Sequence, residues 1–213
     1  MRRRSLASTV PLTLALVMGF VACDDTAASD GTTGSTSTGS GLGCKRPFAG
    51  DPSQPIALSL VTRGPTPVSA DLLDGGSAPL ILPPQGGRVI LVGVRAENID
   101  PCGVELVGSI RDPVTKQVRL DHRTTNLRST GAVAESVPED MSSYANIPAC
   151  PNQWASSDVD GHLFELTVTV TDRAGRTAEK TLSAQPYCSE PENEAECLCI
   201  CQQGYVLGQM CAP

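Results

Sequence analysis

The sequence predicts an all-β fold: an antiparallel β-sandwich over residues 44–186, followed by a small disulfide-rich tail over residues 187–213. Three observations lead there. Apolar residues recur at every second position in seven short segments, the period of half-buried strands. The 20 Gly and 17 Pro residues of this 213-residue chain fall largely outside those segments, where tight turns need them. No apolar stripe of helical spacing separates the segments, which favours antiparallel layers over a parallel sheet with crossover helices.

The first strand follows Pro55, with Ile56, Leu58 and Leu60 alternating with Ala57, Ser59 and Val61 until GPTP breaks it at Gly64 to Pro67. A short piece, Leu80 to Leu82, stops at Pro83 and Pro84, and Gln85 to Gly87 turns the chain. Arg88 to Asn98 is the most apolar segment and the expected central strand. Val89 and Leu91 lie on one of its faces, and Ile90, Val92, Val94 and Ala96 on the other. Val104, Leu106 and Ile110 alternate with Glu105, Ser109 and Arg111 in the next strand. Asp112 to Thr115 turns it into a hairpin whose second arm sets Val118 and Leu120 against Gln117, Arg119 and Asp121. Residues 125–157 lack a clear period and are expected to form a long excursion with one short helical turn. His162 to Thr171 is the clearest strand, with Phe164, Leu166, Val168 and Val170 inward. Asp172 to Gly175 turns the chain, and Thr177 to Gln185 returns with Leu182 and Ala184 inward.

The stretch Asp158–Ala184, DVDGHLFELTVTVTDRAGRTAEKTLSA, resembles the final hairpin of immunoglobulin-like and cadherin-like domains. The resemblance implies an immunoglobulin-like β-sandwich. The Cys, Trp, Cys signature of true immunoglobulin domains is missing, so it implies the wider sandwich class.

At the amino terminus Arg2, Arg3 and Arg4 precede an apolar run from Leu6 to Ala22 that Ser8, Thr9, Pro11 and Thr13 interrupt. A permanent membrane helix needs about 20 predominantly apolar residues. A cleaved signal peptide over residues 1–22 fits better. Phe20, Val21, Ala22 and Cys23 resemble the bacterial lipobox, with Phe20 where Leu is usual. That resemblance implies cleavage before Cys23 and lipidation of its sulfur, and three acyl chains make a lasting anchor. Asp24 and Asp25 resemble the inner-membrane retention signal of enteric bacteria, a rule that does not extend to every bacterial group. Outer membrane, cell surface and inner membrane therefore stay open, the first two being favoured. Residues 23–43 are nearly all Ala, Ser, Thr and Gly after the acidic pair, and they read as a flexible tether. Cysteine, acidic pair and hydroxyl-rich tether together resemble lipoproteins of myxobacteria and their relatives.

Charge narrows the partners. The formal net charge is −7, and removing Arg2, Arg3 and Arg4 with the leader leaves 13 basic against 23 acidic residues, a net charge of −10. Such a chain is repelled by phosphate backbones, so no nucleic-acid partner is expected. With aromatics at 3% there is little to stack on sugars or bases. The expected partners are the membrane, through the lipid, and an envelope or surface protein.

Of nine cysteines, eight remain once Cys23 carries lipid: Cys44, Cys102, Cys150, Cys188, Cys197, Cys199, Cys201 and Cys211. An even number in an exported chain indicates disulfides, and eight allow on the order of 100 pairings. Cys102 with Cys150 is one expected pair. The run CICQQGYVLGQMC, with Cys199, Cys201, Gly204, Tyr205 and Cys211, resembles the closing half of an epidermal-growth-factor-like module. It implies a partial module and a bridge from Cys201 to Cys211. Cys197, Cys199 and Cys201 at alternate positions could instead ligate a soft metal, but the usual CxxC pairs are missing, so bridges are expected and no metal or cofactor is.

Catalytic signals are weak. Asp158, Asp160 and Gly161 resemble part of a calcium loop, yet counting from Ser156 the first position lacks its acid and the twelfth is Thr167. Asp172 stands at the other end of the intervening strand. His122 and His162 are the two histidines, and no GxSxG, HExxH or phosphate-binding loop accompanies them. The expectation is a cell-envelope lipoprotein presenting a non-catalytic interaction or adhesion module. A cryptic hydrolase or enzyme accessory subunit, and a purely structural envelope component, are the alternatives.

Overall fold

The computed structural model describes residues 43–211; the leader, Cys23 and all but the last residue of the tether lie outside the described residues. Eleven strands and one α-helix form among the described residues: β1 (Ala57–Arg63), β2 (Ser69–Asp71), β3 (Gly76–Ile81), β4 (Arg88–Glu97), β5 (Val104–Arg111), β6 (Val118–Thr125), β7 (Arg128–Ser129), β8 (Val133–Glu135), β9 (Ala145–Cys150), β10 (Phe164–Thr171), β11 (Thr177–Cys188) and α1 (Glu194–Cys201). The fold is all-β apart from α1 and two short 3-10 turns. No helix of the described residues is long and apolar enough to cross a membrane.

The strands join in one curled sheet in the order β2-β1-β4-β3-β11-β10-β5-β6, and β4 also pairs with β8 and β9. Every pairing is antiparallel but one. β3 runs parallel to β11 from Gly76 with Ala184 to Leu80 with Cys188, while Leu80 and Ile81 pair antiparallel with β4. The sheet is therefore mixed, which corrects the purely antiparallel expectation. β3 links two antiparallel groups, since it pairs with β11 from Gly76 to Leu80 and meets β4 at its end through Leu80 and Ile81.

Alternation decides what the sheet encloses. Ile90, Val92, Val94 and Ala96 of β4, Leu106 and Ile110 of β5, and Phe164, Leu166, Val168 and Val170 of β10 all lie in one buried cluster. Leu91 faces the other way and packs with Val61, Ile81 and Tyr144, so β4 is apolar on both faces because both are covered. Gly108 shows how closely the curled sheet meets itself: a Cβ there would lie 2.6 Å from the Ala145 Cβ and 3.1 Å from the Ile147 Cδ1. Gly108→Ala is expected to cost about 1–3 kcal/mol by overpacking. Chemical denaturation of the purified variant measures it, and an unchanged midpoint would show that β5 and β9 are not in contact.

β2 and α1 were not expected, β3 begins at Gly76 and not at Leu80, and two further segments differ in ways that register explains. In β6, Val118 and Leu120 turn outward, 41% and 57% exposed, while Arg119, Asp121 and Arg123 take the inner side. Register explains it: Arg119 pairs with Ile110, Asp121 with Gly108 and Arg123 with Leu106, and paired residues share a face. β6 ends the sheet order, and inward charges on a terminal strand discourage edge pairing with another chain. Asp121 accepts from Arg123 Nε at 2.7 Å and from the Asn146 backbone at 2.9 Å, closing the curl against β9. Within the excursion over residues 125–157 the expected helical turn forms at Met141–Ser143, but β7, β8 and β9 form there too. β9 carries Pro148 and pairs with β4 through a register shift at Arg88/Val89, so its sequence lacks the period of a regular strand.

Candidate functional site

Strand β5 fixes two ends of the molecule. Cys102 stands just before it and Asp112 just after it, and its eight residues span about 26 Å at ~3.3 Å each. The near end is fastened by the Cys44–Cys102 disulfide, by Arg46 on the Asn126 and Leu127 carbonyls, and by mutual backbone bonds of 3.0 Å between Ala49 and Ile99. The hairpin turn at Asp172 lies at this end as well. Burial pushes the Asp172 carboxyl up, but the Arg176 guanidinium, backed by the Arg176 and Ala174 amides, holds it below the usual range.

The far end is built around Asp112, whose side chain is buried. One carboxylate oxygen accepts from the Val114 amide at 2.7 Å and the Ser156 hydroxyl at 3.0 Å, and the other accepts from the Ser156 amide. Burial alone would raise its pKa, yet these donors favour the anion and lower it to about 2. The β5–β6 turn is thereby locked to the segment after β9. There Trp154 is buried against Phe164, ring centroids 5.4 Å apart, with its indole N–H donating to the Ala149 carbonyl at 2.8 Å.

The tail closes over this end. Cys197, Ile200 and Cys201 of α1 belong to the main core cluster. Asn152 Nδ2 donates to the Ser157 and Cys201 carbonyls, and the Val159 amide donates to the Cys201 carbonyl at 2.8 Å. Asp158 accepts from the Gln203 amide at 2.6 Å and Asp160 from the Cys188 amide at 2.7 Å. These two carboxylates are thus engaged by tail amides, and Asp172 stands at the opposite end of β10. The three do not meet as a calcium site.

Four disulfides form among the described residues: Cys44–Cys102, Cys150–Cys201, Cys188–Cys197 and Cys199–Cys211. All eight expected cysteines are paired, but both expected partnerships are corrected. Cys102 and Cys150 lie at opposite ends of the fold, far beyond the ~7 Å Cα separation a bridge tolerates. Cys201 does not reach Cys211 because the tail is helical at this point. In α1, Cys197 and Cys201 are four residues apart and share the buried face, whereas Cys199 is turned ~200° away toward the loop that ends in Cys211.

The Cys199–Cys211 bridge closes a loop whose conformation is set internally. The Tyr205 hydroxyl donates to the Gln209 carbonyl at 3.1 Å, and the Gln209 amide donates to the Val206 carbonyl at 2.9 Å. Between this loop, the Thr115–Gln117 turn and the Asn152–Ala155 segment lies a groove of about 660 Å³. Val206 and Leu207 line it at 67% and 70% exposure, and Val114 and Met210 are exposed beside its walls at 73% and 93%. An apolar, preordered rim of this kind is suited to contact with a protein surface.

The histidines do not assemble. His122 is exposed in mid-β6 opposite Val107, and His162 is exposed just before β10, its Nδ1 3.1 Å from the Asp160 carbonyl oxygen. Because Arg111 pairs with Glu165, the two rings are upwards of ~13 Å apart along β5. The groove escapes sequence reading because its three walls come from segments far apart in the chain, although the adjacent Val206 and Leu207 inside a cysteine-bounded loop were a signal. No protein-family model, no curated protein and no solved structure matches this chain.

Proposed function

We propose that the chain is a bacterial cell-envelope lipoprotein whose immunoglobulin-like sandwich offers the far-end groove to another envelope or surface protein. The polarity of the fold carries this reading. Cys44, which follows the tether, is stapled to Cys102 at the near end, while Val114, Val206, Leu207 and Met210 are exposed at the far end, about 26 Å away along β5. The groove therefore lies at the end of β5 remote from the Cys44–Cys102 staple, clear of the point where the chain enters the module. FVAC ahead of Cys23 and the even set of eight remaining cysteines support export. The loop bounded by Cys199 and Cys211 supports a binding role, since a loop already ordered loses little entropy on contact.

A photo-crosslinking residue placed at Leu207 in cells should capture a discrete partner, whereas the same residue at Thr177, in the near-end hairpin, should not. Replacing Val206 and Leu207 together by Asp should lower capture by tenfold or more, about 1.4 kcal/mol or above. Cys23→Ser should move the protein into the aqueous phase of a detergent partition while leaving the groove intact. Equal capture from both positions would refute the groove, and wild type in the aqueous phase would refute the anchor.

A further inference from the structure

Charge and shape together limit what can fill the far-end groove. The chain has a formal net charge of −7, and −10 without its leader, yet no Asp, Glu, Lys or Arg is among the residues that line the groove. Two ionisable side chains next to lining residues are turned to their own surroundings: Lys116 Nζ donates to the Pro113 carbonyl at 2.7 Å, and Asp158 accepts from the Gln203 amide at 2.6 Å. The shape comes from a tight turn over Val206–Gln209. The Gln209 amide donates to the Val206 carbonyl at 2.9 Å and Gly208 has a φ of 89°, so Leu207 stands at the corner, 70% exposed, on the rim of the groove it helps to line. One surface thus carries an apolar knob and, beside it, a cavity of about 660 Å³.

We infer that the occupant is a second copy of this chain, paired about a two-fold axis so that Leu207 of each copy enters the groove of the other. The inference rests on the groove being a protein-binding surface and names its partner. A face that meets its own copy must be self-complementary, which a knob beside a hole satisfies and a plain groove does not. It must also be uncharged, because identical charged faces repel, and a chain this acidic can approach its copy closely only through such a face. The polar groups obey the same rule. Gln117, Gln153 and Gln203 line the groove, and a Gln amide both donates and accepts, so identical groups can pair with one another. Val114 and Met210, exposed beside the walls, extend the apolar contact. Size sets the strength: eleven residues line the groove, against roughly 20–30 on each side of a long-lived interface, so the pair is transient, with a Kd on the order of 10 µM.

Sedimentation equilibrium of the full chain carrying Cys23→Ser, with its disulfides intact, tests this over about 1 to 200 µM protein. The expected result is a reversible monomer–dimer equilibrium. It should tighten severalfold when salt rises from about 0.05 to 0.5 M, since salt screens the net repulsion and leaves the apolar contact in place. Leu207→Asp should raise the Kd tenfold or more, whereas Thr177→Asp, in the near-end hairpin, should leave it unchanged. Because Leu207 is exposed, an unfolding midpoint equal to wild type shows that Leu207→Asp has lost pairing and not its fold. A photo-crosslinking residue at Leu207 of the purified protein should yield an adduct of twice the chain mass, joined to the Thr115–Gln117 turn or the Asn152–Ala155 segment of the other copy. A monomer at every concentration, a dimer indifferent to Leu207→Asp, or a dimer that salt dissociates would overturn the self-pairing. A monomer whose Leu207 captures a different envelope protein in cells would overturn it and leave the groove standing as a binding surface. A monomer that instead binds phosphatidylcholine vesicles through Leu207 would overturn both, assigning the knob to a lipid surface.

Discussion

Replacing Cys150 and Cys201 together by Ser is expected to destabilise the protein by about 4 kcal/mol, the loop-closure value for a bridge spanning 51 residues. The bond fastens α1 to the end of β9, and both sulfurs are buried in the main cluster. Removing the shorter Cys188–Cys197 bridge, which spans 9 residues, should cost less, about 2.5 kcal/mol. The difference separates a tail that is part of the fold from one that merely follows it. Denaturant unfolding of each double variant under oxidising conditions measures the two costs. With Cys150 and Cys201 gone, α1 and the Val206–Leu207 loop should also become sensitive to protease before the sheet does. A variant as stable as wild type would mean that the tail contributes nothing to the core.

The second large effect is expected at Asp112. In Asp112→Ala the amides of Val114 and Ser156 lose the buried carboxylate that accepts from both, a cost of about 2–3 kcal/mol and a fall in Tm of roughly 5–10 °C. Asp112→Asn should be nearly as damaging, because its amide nitrogen must point at one of those two N–H groups whichever way it is turned. The pH dependence follows from the lowered pKa. A carboxyl held at about 2 against an ordinary 3.8 stabilises the fold fully above pH 4, by about 2 kcal/mol, and loses this as pH falls from about 4 through about 2. Wild type should therefore lose stability in that window, and the Asp112→Ala variant should lose less. Because Asp112 ties the β5–β6 turn to the Trp154 segment, its loss should also loosen the groove and weaken partner capture. A stable Asp112→Asn variant would contradict the hydrogen bonding at this turn.

The regular strands were legible because alternation and turn residues agree in them. The strand expected over His162 to Thr171 forms over Phe164–Thr171, and the one expected over Arg88 to Asn98 forms over Arg88–Glu97. Alternation misled where it was carried by an edge. Val118 and Leu120 have the spacing of inward residues, but their register against β5 turns them out, and no single-strand pattern contains that register. β9 was hidden because Asn146 and Pro148 interrupt a segment whose pairing with β4 is itself irregular. The cysteines were read as a set and not as pairs, since pairing depends on facts foreign to local sequence: which end of the sheet Cys102 and Cys150 occupy, and that Cys197, Cys199 and Cys201 stand on a helix. Of the groove, the loop between Cys199 and Cys211 was visible, but its role was not. Its opposing walls at Thr115 and Trp154 reach it through Asp112, a residue that on sequence alone marked a turn.

The central claim is that the cysteines beyond Cys23 lock one end of the sheet to the tether side and the other end to the tail. Peptide mapping of the non-reduced full-length protein, with mass spectrometry of the linked fragments, tests it most directly. The expected result is four linked pairs, Cys44 with Cys102, Cys150 with Cys201, Cys188 with Cys197 and Cys199 with Cys211, and a lipid on an amino-terminal Cys23. A fragment joining Cys102 to Cys150, or Cys201 to Cys211, or several free thiols, would contradict the account.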